Sequence, residues 1–190
     1  HVVDSYYQNP KVKRTRSPQV TISVACFIPK PFTPFQWEGQ DTLETLREKQ
    51  MYLASKITDR KVRYHWHDAQ VSRIEAVFAR GDRRLGKALL TAHRLGIRFD
   101  GWEEQFNYDK WMQVFDESGI DPYFYANRTI GIDEILPWDM IDCGVSKKFL
   151  QSEHRKAYQS VTTPNCKDHC SGCGANRLGG NCTWCPKPSV

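Results

Sequence analysis

No apolar run in this chain approaches the roughly 20 residues a helix needs to cross a bilayer, so the sequence as given is expected to be soluble and globular, with no membrane partner. The opening residues HVVDSYYQNP lack the charged, apolar and small-residue parts of a secretory signal. Beginning at His1 in mid-pattern, they are expected to belong to something longer. Charge of one sign is not in strong excess: 27 basic residues face 22 acidic ones, a net of +5. Contact with RNA is permitted by that balance and not required, because a nucleic-acid binder usually gathers its charge on one face. The nearest approaches to a patch are Lys11, Lys13, Arg14 and Arg16, then Arg80, Arg83 and Arg84, which read as solvated surface. Cysteine is also scarce over most of the length, where Cys26 and Cys143 stand alone.

The other five cysteines crowd into PNCKDHCSGCGANRLGGNCTWCP, where Cys166, Cys170, Cys173, Cys182 and Cys185 fall within 20 residues. Thiolates at this density, among Gly172, Gly174, Gly179 and Gly180, suit a soft metal or an iron-sulfur cluster. Two groupings fit. In one, the pairs Cys170 with Cys173 and Cys182 with Cys185 close a zinc tetrahedron and leave Cys166 over. In the other, Cys166, Cys170 and Cys173 form CxxxCxxC for a four-iron cluster, and Cys182 or Cys185 completes it. His169 could replace one thiolate. A disulfide-stapled tail, which sequons at Asn127 and Asn181 would suit, is disfavoured by the odd total of seven cysteines. That count fits a reducing, cytoplasmic setting.

At 190 residues, folding should bury roughly 70% of the unfolded surface, so a core needs no metal to exist. His1 to Gln8 reads as a helix end, and Val20, Ile22, Val24 and Cys26 alternate as a strand. That strand runs into PKPFTPFQW, whose prolines forbid helix and ladder alike, while Phe32, Phe35 and Trp37 form a rigid aromatic surface, either a packed crossover or a site wall. Asp41 with Glu44 resembles a capping box for a helix burying Leu43, Leu46, Leu53 and Ile57. Lys61 to Trp66 is a second strand. Asp68 then caps a helix carrying Val71, Ile74 and Phe78, and an αα-hairpin turning at Arg80, Gly81 and Asp82 leads to a helix ended by Gly96. The aromatic density after Phe99 predicts a core of short helices, with starts at Asp121 and Asp133, or else a base-stacking platform. Ser146 caps the last helix. His65, His67 and Asp68 could form a proton-handling or metal cluster, but no third ligand is identifiable and they read as structural. His93 and His154 read as surface or boundary residues.

The strings ISVACFIPKPFTPFQW, YHWHDAQVSRIEAVFARGDRRLG, FDGWEEQFNYDKWMQVF, ILPWDMIDCGVSKKFL and TTPNCKDHCSGCGA resemble the C-terminal part of a family of radical-SAM proteins that also carry a cobalamin-binding domain. The resemblance spans nearly the whole chain. It implies an α+β, mainly helical fold: residues 1–40 would end a partial (β/α) barrel, 41–160 would form a helical region, and 161–190 a Cys-rich tail. Chemistry on such barrels sits at the C-terminal rim, so Cys26, Phe27, Ile28 and Pro29 would lie nearest S-adenosylmethionine or substrate. The remainder of the radical-SAM protein would be the main partner, with S-adenosylmethionine and cobalamin held there.

A radical-SAM enzyme also needs a CxxxCxxC loop early in its barrel. Here only 17 residues follow Cys173, too few to build one. The tail is therefore expected to hold an auxiliary centre, and this segment alone is not expected to turn over. Some relatives place a cysteine where this chain has Asn176; here Cys182, following Gly179, Gly180 and Asn181, is the more natural fourth ligand, with Cys185 second. The alternative is a helical zinc-knuckle module that binds RNA or protein without catalysis, using Arg80, Arg83, Arg84 and exposed aromatics.

Overall fold

In the computed structural model, residues 2–10 and 17–178 are described. Lys11, Lys13, Arg14, Arg16, the sequon at Asn181, Cys182 and Cys185 lie outside them. The described residues are mainly helical with one small parallel sheet, an α+β arrangement. After α1 (Val2–Gln8), strand β1 (Val20–Val24) pairs with β2 (Val62–Trp66) in register from Val20↔Val62 to Val24↔Trp66. Parallel neighbours need a long crossover, supplied by the proline loop and α2 (Leu43–Lys56). Contrary to the sequence expectation, β1 stops before Cys26. Its partner has run out: His67 N donates to Val24 O, and Asp68 then starts the next helix.

The N-cap of α2 is Thr42, not Asp41: its hydroxyl accepts from Thr45 N at 3.2 Å, while Asp41 pairs with Lys49. Leu43 and Leu46 are buried, whereas Leu53 is 37% exposed. Asp68 caps α3 (Ala69–Ala79) as expected, accepting from Gln70 N and Val71 N. The anticipated hairpin of α3 with α4 (Leu85–Arg94) is replaced by packing of α4 on α5 (Tyr108–Ser118). The larger apolar face lies there, in Trp111, Val114 and Phe115. Asp121 caps α6 (Pro122–Ala126). Asp133 begins turns rather than a helix, and Ser146 caps α7 (Lys147–Tyr158). A 3-10 turn, Ala175–Leu178, closes the described chain.

Residues of α3 to α6 make one core around Val77, Ala88, Val114 and Phe115. A second gathers Trp37, Ile130, Leu136, Trp138 and Leu150, so the proline loop is both a packed crossover and, through Phe35, an exposed wall. Between the cores, residues 36–41 are laced to 125–130. Ile130 N donates to Trp37 O at 2.7 Å, Gln40 N to Ala126 O at 2.8 Å, and the Asn127 amide to the carbonyls of Gln40 and Asp41. The same amide is the acceptor atom of the Asn127 sequon, and the fold already uses it.

Candidate functional sites

Side chains alternate along an extended segment, and this splits the residues expected at the rim. Cys26 and Ile28 line a cleft of about 600 Å³ with Trp66, His67, Lys30 and Glu75, at the C-terminal ends of both strands. Phe27 faces the other way into a second cavity, and Pro29 is fully buried. The Cys26 thiol donates to His67 O and accepts from Gln50 Nε2, each at 3.5 Å, while Gln50 Nε2 also donates to His67 O at 2.9 Å. His67 is oriented by Ser72, its Nδ1 lying 2.7 Å from the hydroxyl, and His65 is exposed. HWHD therefore does not converge: one imidazole meets a serine, the aspartate caps a helix, and the other imidazole is exposed.

In the tail, Cys166 is exposed, and Cys170 and Cys173 are half-buried. Gly172 N points at Cys170 Sγ at 3.4 Å, and Ala175 N at Cys173 Sγ at 3.5 Å. Gly172 and Gly174 have φ of +70° and +95°, left-handed values that glycine adopts without strain. The knuckle is docked: Ser146 N donates to Cys173 O at 2.9 Å, and the backbone of Gly174 lies so close to Gly144 O that a Cβ would stand 2.9 Å from it. Arg177 adds a 3.7 Å pair with Asp142. Among the described residues, no group of three or more Cys, His, Asp or Glu side chains is drawn together closely enough to hold a metal.

A third site joins the end of the proline loop to α7. Glu38 Oε1 accepts from His154 Nε2 and from the Tyr158 hydroxyl, both at 2.7 Å. Burial acts to raise the Glu38 carboxyl, but the two hydrogen bonds and the charges of His154 and Arg80 outweigh it and hold it below its ordinary value. The same contact raises the Tyr158 phenol. A carboxyl lowered by folding stabilises the fold above the ordinary carboxylate range, and that contribution is lost as pH falls through the folded-state value. The unfolding free energy from urea titrations between about pH 7 and 3 should thus fall less steeply for Glu38→Gln than for the parent chain. Superimposable pH slopes would show that His154 and Tyr158 do not hold the charge.

Glu38 was not singled out in the sequence, although it directly follows the aromatic loop, and His154, read as a surface or boundary residue, is its partner here. They are 116 residues apart, and only the lacing of residues 36–41 onto the helical region brings them together. Arg80, one of the surface arginines expected from the sequence, is buried at 3% exposure. Its guanidinium donates to the carbonyls of Tyr125, Ala126 and Arg128. Arg84 is held by Asp82.

Compared with protein-family models, with curated proteins and with solved structures, this chain matched nothing. Among the described residues no helix is long and apolar enough to cross a membrane.

Proposed function

We propose that this chain is part of a radical-SAM iron-sulfur enzyme, contributing the barrel rim and an auxiliary cysteine-ligated centre. The observation that carries the reading is the pair of amide-to-sulfur contacts in CSGCGA, Gly172 to Cys170 and Ala175 to Cys173. Donors aimed at sulfur stabilise thiolate and tune a bound centre, and a disulfide tail has no use for them. The donor set of Cys166, Cys170 and Cys173, completed by Cys182 or Cys185, fits a four-iron four-sulfur cluster. Bound there, the cluster would supply electrons or a grip on substrate. The protein's own part is to present the thiolates and, through Ser146 and Arg177, to hold them against the start of α7. The parallel strand ends, with Cys26 and Ile28 in their cleft, suit a rim facing S-adenosylmethionine, while cobalamin would belong to the rest of the protein. The cytoplasm is the fitting compartment for such a thiolate centre.

A zinc-knuckle module that holds RNA is the second reading. It is favoured by the guanidiniums of Arg128 and Arg84, 4.4 and 5.5 Å from the ring of the partly exposed Phe124. Metal analysis separates the two. Anaerobically purified chain is expected to be brown and to contain iron with acid-labile sulfide, and Cys170→Ala is expected to lose both while keeping its helical circular dichroism. One equivalent of zinc in a colourless protein would favour the module. Neither metal in a folded chain would end both readings.

A further inference from the structure

The cavity beside Glu38 carries an inference that does not depend on the tail. Phe27, Phe35, Glu38, Gly39, Ala157 and Tyr158 line about 530 Å³, within the range of small-molecule sites. Its walls are aromatic. The Phe27 and Phe35 rings meet edge to face at 6.0 Å, and His154 stands 6.2 Å from Phe35 and 5.1 Å from Tyr158. Gly39 and Ala157 contribute little bulk, so the floor stays open. Phe27, Phe35 and Tyr158 remain 51%, 39% and 69% exposed.

The polar end of the cavity is one-sided. Glu38 Oε1 is committed to two donors, His154 and Tyr158, while Oε2 has no hydrogen-bond partner among the described residues. An ionised acceptor with a free oxygen, framed by aromatic faces, selects a cation that can donate a hydrogen bond. A divalent metal is poorly served, because one carboxylate cannot provide the six or more oxygens that calcium takes or the octahedron of magnesium. A guanidinium is also second best. Its fork bonds both oxygens of a carboxylate, and Oε1 is already occupied twice. An ammonium is a compact charge that needs one oxygen, and its alkyl stem can lie against phenyl rings.

We propose that this cavity is a binding site for a primary alkylammonium group, with the charge on Glu38 Oε2 and the stem between Phe27 and Phe35. His154 and Tyr158 are positioning residues: they fix the carboxylate by its other oxygen and leave Oε2 turned to the cavity. The ammonium can come from a free amine or from a lysine side chain, since both present the same head and stem.

The test uses the full chain at neutral pH, following aromatic proton NMR shifts during titration with n-butylammonium, 1-butanol, n-butylguanidinium and lysine capped at both ends. Butylammonium is expected to give a saturable shift, 1-butanol none, and butylguanidinium weaker binding than butylammonium. Glu38→Gln is expected to weaken butylammonium by at least about tenfold, a loss of about 1.4 kcal/mol. Should that variant fail to fold, Phe27→Ala, which alters a half-exposed ring, reads the same site. Tighter binding of capped lysine than of butylammonium would assign the site to a protein side chain, and weaker binding would assign it to a free amine. Equal binding of 1-butanol, or unchanged affinity in both variants, would overturn the proposal. So would the absence of a saturable shift with butylammonium and capped lysine alike.

Discussion

Replacing Arg80 by methionine is expected to destabilise the chain by about 3 kcal/mol, although the two side chains are close in volume. The guanidinium is buried, and burial, reinforced by the nearby Arg128 charge, lowers it to about 10. It therefore keeps its proton at neutral pH. It donates at 2.6 Å to Tyr125 O, at 2.8 Å to Ala126 O and at 2.6 Å to Arg128 O. Methionine fills the space and supplies no donor, so carbonyls at the end of α6 lose charge-assisted bonds away from water. Release from burying an ion offsets part of the loss. For a chain of this size the change should lower the thermal midpoint by about 10 °C. Arg80→Lys should recover little of it, because one ammonium cannot span three carbonyls that a planar fork reaches together. A methionine variant melting within about 2 °C of the parent would show that these bonds contribute little.

Gly39→Ala is expected to cost a similar amount, about 3 kcal/mol, the upper end for forcing atoms into filled space. A Cβ on Gly39 would lie 2.1 Å from Asn127 O and 2.8 Å from Asn127 C, and neither is a side-chain end that could swing aside. Relief requires residues 36–41 to part from 125–130, which strains the bonds of Ile130 to Trp37 and of Gln40 to Ala126. Urea unfolding would register the loss as a lower midpoint, and the displacement of Glu38 should weaken butylammonium binding together with it. Parent-like stability would mean that the two segments are not pressed together at this glycine. By contrast, Gly81→Ala would meet the Leu85 Cδ1 methyl first, a group able to rotate away.

Local chemistry made much of the fold legible in the sequence. Asp68, Asp121 and Ser146 each cap the helix they precede, and Gly96 ends α4 at a positive φ of 75°. Such signals act over one turn of chain. Asp41 misled because its neighbour Thr42 is equally able to cap, and a lysine eight residues on captures the carboxylate instead. Asp133 misled because Leu136 and Trp138 are committed to the second core in a turn conformation, which a helix there would pull apart. The pairing of α4 with α5 depended on which faces were largest, a property of the assembled core. The cysteine clustering was plain in the sequence, while the amides aimed at Cys170 and Cys173 needed the backbone. The site at Glu38 was invisible for a different reason: its partners come from the far end of the chain, and no local pattern marks a glutamate that will meet a histidine and a tyrosine.

Helix α7 touches two of these places with its two ends. Its first turn hangs from Ser146, bonded to the carbonyl of Cys173, and its last turns carry His154 and Tyr158 onto Glu38. A 12-residue helix is a stiff rod of about 18 Å. Rods transmit tilt better than they absorb it, so a shift of the Cys173 carbonyl would be expected to reach His154 and Tyr158 as a change of tilt at the opposite end.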